Sequence, residues 1–220
     1  MYSLMLSEDI VSAIDRLAYE AGTNRSNMIN SILAEYISYK TPEMRIKTLF
    51  ETIEDLISNY DGFKVMLRSS DSLFNLRSAL TFKYNPTVNY SIELYRSASD
   101  ALGELRASLR TQNLNLKLYI MQFYKLWAKF EMETGYSGGD YSINGEKFIK
   151  KLILHTHNDK RPLSENEISE AELCQAIVSY INAFDSALKA FFYNLDNAQE
   201  AVAQVEAIYK SYRNNNKILL

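Results

Sequence analysis

Apolar residues recur every three or four positions in some stretches of this chain and every second position in others, and the two periods divide it into helices and strands. Over residues 2–6 they alternate, with Tyr2, Leu4 and Leu6 on one face of an extended segment and Met1, Ser3 and Met5 on the other. From residue 8 the period lengthens. Ile10, Ile14, Leu17, Ala18 and Ala21 form the apolar stripe of a helix over 8–21. Ser7 stands at its cap, and Glu8 and Asp9 suit the positive end of its dipole. Gly22 ends it, because glycine enters the left-handed cap conformation without steric cost. Asn24 caps a second helix, with Arg25 and Ser26 in the first turn and Met28, Ile29, Ile32, Leu33 and Tyr36 along its stripe.

Beyond residue 40, Thr41-Pro42 reads as a cap followed by proline at the first helical position, opening a helix over 42–60. The period then changes to two. Runs 79–84 and 88–95 flank Asn85-Pro86-Thr87, and a second alternating pair, 104–110 and 114–118, flanks Thr111-Gln112-Asn113. Two antiparallel hairpins are expected between about 63 and 120, with 63–67 as a fifth strand. Helical spacing returns over about 121–134 and 146–156, where Lys147, Lys150 and Lys151 occupy what reads as a solvated helix face. Ser164 and Glu167 form a capping box, and the heptad-like series from Cys174 through Phe184, Phe191 and Val202 to Tyr212 predicts one helix over 165–212. Its last 39 or so residues would make a rod of roughly 58 Å, either a coiled-coil seam or a long bundle helix.

The order at the N-terminus, a short strand, a helix, a glycine stop and a second capped helix, resembles the ribbon-helix-helix family, the Arc, MetJ and CopG type of dimeric DNA-binding protein. The resemblance covers about 40 of the 220 residues. It implies a module over 1–40 whose strand pairs with its copy in a second chain; with the mixed domain of antiparallel hairpins and long helices that the pattern predicts over 41–220, the chain is expected to be α+β in two parts. The resemblance also implies that the paired strands enter the major groove of double-stranded DNA. Ser3 and Met5 would then face the bases, Asn24, Arg25 and Ser26 would anchor phosphates, and Tyr2, Leu4, Leu6, Ile10, Ile14, Leu17, Ile29, Ile32 and Leu33 would build the dimer core.

Charge qualifies this picture. Residues 1–40 hold Arg16, Arg25 and Lys40 against Glu8, Asp9, Asp15, Glu20 and Glu35, a net −2, and the whole chain carries −3. Duplex affinity comes largely from neutralised phosphates, so any basic footprint must be local and must lie partly in the later residues. Candidates there are Arg77, Lys83, Arg96, Arg106, Arg110 and Lys117, interleaved with Tyr84, Tyr90 and Tyr95, a mixture that could serve single-stranded nucleic acid or simply be a solvated face.

Composition adds outer bounds. A hydrophobic fraction of 47% can fill a real core, no run of eighteen apolar residues suggests a membrane span, and no signal peptide is indicated. The lone Cys174 precludes an internal disulfide, which fits the cytoplasm. No phosphate-cradling loop, nucleophile elbow or paired-histidine motif is present, so enzymatic chemistry is not expected. His155, His157 and Cys174 match no metal-site spacing; the histidines are expected at the surface and no cofactor is implied. The expected protein is a nucleoid-associated homodimer, or higher oligomer, that regulates transcription. The alternatives are a nucleoprotein organiser of the plasmid-partition or relaxase-accessory kind, with a protein partner on the C-terminal domain, and a dimeric scaffold that does not bind DNA.

Overall fold

The computed structural model describes residues 5–37, 39–66, 70, 72–96, 101–134, 140–156, 161–163 and 167–220. The chain divides into two compact units, Met1–Arg45 and Ile46–Leu220. In the first, α1 (Glu8–Glu20) and α2 (Arg25–Tyr36) pack around Ile14, Ala18 and Ala34. Tyr2, Ser3 and Leu4 lie outside the described residues, and Met5 and Leu6, expected to close the first strand, are irregular. So short a segment needs a neighbouring strand to hold it extended.

The second unit is built on a six-stranded antiparallel sheet with the order β1-β2-β3-β4-β6-β5. Its strands are β1 (Phe63–Val65), β2 (Leu73–Ala79), β3 (Thr87–Leu94), β4 (Gly103–Leu109), β5 (Tyr141–Asn144) and β6 (Lys147–Lys151). Alternation gives the central strands one buried face, with Phe74, Leu76, Val88, Tyr90, Ile92, Leu105, Ala107 and Phe148 pointing into the core. That face packs with α3 (Pro42–Ile57), α4 (Leu114–Glu133), α5 (Glu170–Tyr193) and α6 (Ala198–Asn215) into one apolar cluster. Phe184 of α5 is its centre, with the rings of Phe123, Phe148 and Trp127 at 5.2, 5.2 and 5.3 Å. Gly103 lets β4 run tight against β3, since a Cβ there would sit 2.0 Å from the Glu93 carbonyl oxygen. A two-stranded sheet of β7 (His155–Thr156) and β8 (Ile218–Leu219) ties in the C-terminal residues.

Two buried polar clusters fasten helices to the sheet. Asp185 of α5 accepts from Tyr90 Oη at 2.8 Å and Ser78 Oγ at 3.0 Å, and its second oxygen also meets Lys189 Nζ at 2.6 Å. Glu131 of α4 accepts from Tyr180 Oη at 2.6 Å and Trp127 Nε1 at 3.0 Å, and pairs with Lys150 of β6 at 3.2 Å. Each carboxylate is satisfied, as burial demands.

Several expected elements take other forms. Leu114, Leu116 and Leu118 are not a strand; they open α4, whose start is fixed by the Asn113 side chain accepting from Asn115 N and Leu116 N. Residues 146–156 hold no helix, but β6 and β7, and Lys150 faces inward between the exposed Lys147 and Lys151. The long helix expected over 165–212 is two antiparallel helices. Asn194 Nδ2 donates to Ala190 O, Asn197 caps α6, and the heptad phase slips, leaving Ala198 and Val202 exposed and Ala201 buried. The capping box belongs to Ser169 and Glu172, while Ser164 lies outside the described residues. His155 is buried rather than superficial, and His157 is outside the described residues. No helix of the described residues is long and apolar enough to cross a membrane.

Candidate nucleic-acid interface

The turn between α1 and α2 carries the candidate phosphate-binding residues. Gly22 has φ +62°, and with Thr23 N donating to Ala18 O at 2.8 Å and Gly22 N to Tyr19 O at 3.1 Å it closes a Schellman turn. The reversed chain brings Asn24 to the start of α2, where its Oδ1 accepts from Asn27 N at 2.9 Å. The first turn of α2 contains no acid, and the N–H groups of Arg25 and Ser26 open the helix without intrahelical acceptors. Ser26 is exposed. Arg25 is already engaged: it holds Asp15 of α1 bidentately, which keeps the Asp15 carboxyl below the usual carboxylate range. Of the three expected anchors, one oxygen of Asn24 is therefore committed to capping and the guanidinium of Arg25 to an acid. Ser7 occupies the N-cap position of α1 without the side-chain hydrogen bond its residue type predicts.

The expected dimer-core residues divide in two. Ile14 is buried, and Leu6 and Ile29 are half-buried. Ile10, Leu17, Ile32 and Leu33 stand between 39% and 49% exposed, forming an apolar rim to the helix pair. Met5, an expected base-facing residue, is 98% exposed; Ser3 lies outside the described residues with Tyr2 and Leu4.

The basic and aromatic residues of the second unit are largely dispersed, although Tyr95 meets Arg106 around Glu93 and Glu104. Tyr90 points into the core, where burial and the Asp185 carboxylate push its phenol well up. Tyr84 sits in the β2–β3 turn beside Lys83, and Tyr95 and Arg96 follow β3. Lys117 is on α4, paired with Glu146 at 2.6 Å. Arg106 is shared between Glu93 and Glu104 at 2.8 and 2.7 Å. Most of the aromatic interleaving legible in the sequence thus disperses once strand register is set.

Register creates a different juxtaposition. On the face of the sheet turned away from the core, consecutive pairings align Lys64, Arg77, Asn89, Ser108, Lys147 and Asn144 across all six strands. Beside its far end lies a groove of about 630 Å³ lined by Ser91, Arg106, Ser108, Leu109, Arg110, Thr111, Gln112, Glu146 and Lys147. Sequence reading passed over Lys64 and took Lys147 for part of a helix face, because nothing local links two lysines more than eighty residues apart. Asp15 was likewise missed as the partner of Arg25. Its only signal was an acid on the preceding helix, a feature too common to be informative.

Comparison of the chain with protein-family models, with curated proteins and with solved structures finds no match.

Proposed function

We propose that this chain is a homodimeric, sequence-specific DNA-binding regulator whose N-terminal segment pairs with its copy as a ribbon in the major groove. The supporting observation is the apolar rim of the first unit. Among the described residues of this unit Ile14, Ala18 and Ala34 are the buried hydrophobics, while Ile10, Leu17, Ile32 and Leu33 stay 39% to 49% exposed. Covering the remaining area of four such side chains contributes about 1 kcal/mol each, so a second copy adds several kcal/mol per chain to a unit too small to be stable alone. In the same dimer Tyr2, Leu4 and Leu6 would pair inward, Ser3 and Met5 would meet base edges, and the start of α2 would meet a phosphate through backbone N–H groups and Ser26. At a promoter or in the nucleoid the dimer would act in the cytoplasm, and as an organiser it would add a protein partner on the second unit.

A second reading, a dimeric scaffold that does not bind DNA, is favoured by the Arg25–Asp15 pair and the −2 charge of residues 1–40. The two readings part in one experiment. Light scattering should give twice the chain mass under both. Fluorescence anisotropy with duplexes taken from upstream of the gene, against random duplex over a salt series, should show specific binding weakened by Ser3→Ala and Ser26→Ala under the first and none under the second.

A further inference from the structure

The outward face of the six-stranded sheet carries its own charge pattern, independent of the N-terminal unit. The cross-strand row Lys64, Arg77, Asn89, Ser108, Lys147, Asn144 contains three bases, three neutral hydrogen-bonding side chains and no acid. At about 4.8 Å between strands it spans roughly 24 Å. Lys64 and Arg77 stand directly opposite each other, a like-charge pairing that works against the sheet. Neither they nor Lys147 form an ion pair among the described residues, although Arg77 donates to Asn89 Oδ1 at 3.0 Å, which orients its guanidinium along the row. Lys147 and Ser108 belong at once to this row and to the groove beside it, where Arg110 adds positive charge while Arg106 is shared between Glu93 and Glu104 and Glu146 pairs with Lys117. Acids cluster elsewhere on the same face, at Glu93 and Glu104, leaving the row undiluted.

We propose that this row holds the phosphate backbone of duplex DNA. Charge complementarity selects a polyanion, and side-chain chemistry selects among them. The strand positions on this face carry no aromatic ring among the described residues, and Tyr95, just past β3, is held against Glu104, so successive single-stranded bases find no run of rings to stack on. Lysine, arginine, amide and hydroxyl groups in a line are the donors that contact phosphate oxygens and position a duplex without reading it. The row would supply the sequence-independent share of affinity that an acidic N-terminal unit lacks.

The test uses the full chain carrying Lys64→Gln, Arg77→Gln and Lys147→Gln together. All three side chains are exposed, and removing the opposed Lys64–Arg77 pair should leave the thermal midpoint unchanged or raised. Anisotropy with a random 30-base-pair duplex over a salt series should show the slope of log K against log salt shallower by about 2 to 3, and affinity at low salt down at least tenfold. Lys147→Gln alone should reduce the slope by about 1. The loss should be equal on random and on specific duplexes, whereas Ser3→Ala should act on the specific ones alone, so failure of the ribbon reading leaves this result standing. An unchanged slope in the triple variant overturns the proposal. So does tighter binding of a single strand than of the duplex, or no duplex binding at low salt by the unaltered chain.

Discussion

Arg25 grips Asp15 through two parallel contacts, Nε to Oδ1 at 2.7 Å and a terminal guanidinium nitrogen to Oδ2 at 2.5 Å, joining the start of α2 to the middle of α1. The one base among the three expected phosphate anchors is thus held by a carboxylate. Asp15→Asn should release it and tighten DNA binding about threefold to tenfold at low salt, with the difference vanishing at high salt. Because pairing depresses the folded-state Asp15 value, the pair's contribution is present above the ordinary carboxylate value and lost as pH falls through the folded one. Unaltered affinity in Asp15→Asn would remove Arg25 from the interface.

The Lys150–Glu131 pair is a different kind of contact, with both side chains 2% exposed. Removing one charge strands the other in the core, so Lys150→Met should destabilise the protein by about 3 to 5 kcal/mol. Replacing both, Lys150→Met with Glu131→Leu, should recover a substantial part of the loss, since two desolvated charges disappear together. Urea unfolding of the two variants against the parent measures the coupling, and a double variant as unstable as the sum of its parts would contradict it.

Four phenols set the alkaline limit. Burial is the leading cause that raises Tyr90, Tyr124, Tyr180 and Tyr212, with nearby carboxylates adding to it: Asp185 for Tyr90, Glu146 for Tyr124, and Glu131 for the other two. A group whose folded value exceeds its unfolded one contributes stability in full below the unfolded value and loses it as pH rises. Stability should therefore fall steeply above pH about 10. Tyrosinate absorbance should rise in two stages, with these four phenols in the second, together with loss of the far-ultraviolet signal. Ionisation of all the tyrosines in one stage, with the fold intact, would refute their burial.

Cys174 offers a cleaner probe. Its thiol is buried, donates to Leu49 O at 3.5 Å, and is pushed up to about 11, chiefly by burial. A thiol reagent at pH 8 should label the native protein only at the rate of its unfolding, and the urea-unfolded chain at once. Rapid native labelling would place Cys174 at the surface.

How much of this was legible depended on whether the deciding interaction was local. The α1–α2 turn could be read because Gly22 and Asn24 act on their own backbone, and both do so in the structure. Leu114 and Leu118 misled because they alternate with polar residues like a strand, yet they are the exposed leucines of α4, at 73% and 58%, while Leu116 alone turns inward. The lysines at 147, 150 and 151 resembled a helix face because no local signal reveals that Lys150 meets Glu131, nineteen residues earlier, inside the core. The break between α5 and α6 was hidden because Ala198 and Val202, both exposed, happen to extend the apolar spacing of α5 across it, while the buried positions of α6 restart at Ala201 and Val205. The two candidate surfaces divide along the same line, the turn of the first unit visible in the sequence and the basic row of the second visible only through register.

The central claim, a dimer that reads DNA through its N-terminal ribbon, is tested most directly by selecting bound sequences from a random duplex pool with the full chain. Two copies related by a two-fold axis should enrich an inverted repeat, and Ser3→Ala should weaken or shift that enrichment while leaving the chain dimeric. A pool that stays random after repeated selection, or that enriches a site with no internal symmetry, would contradict the account.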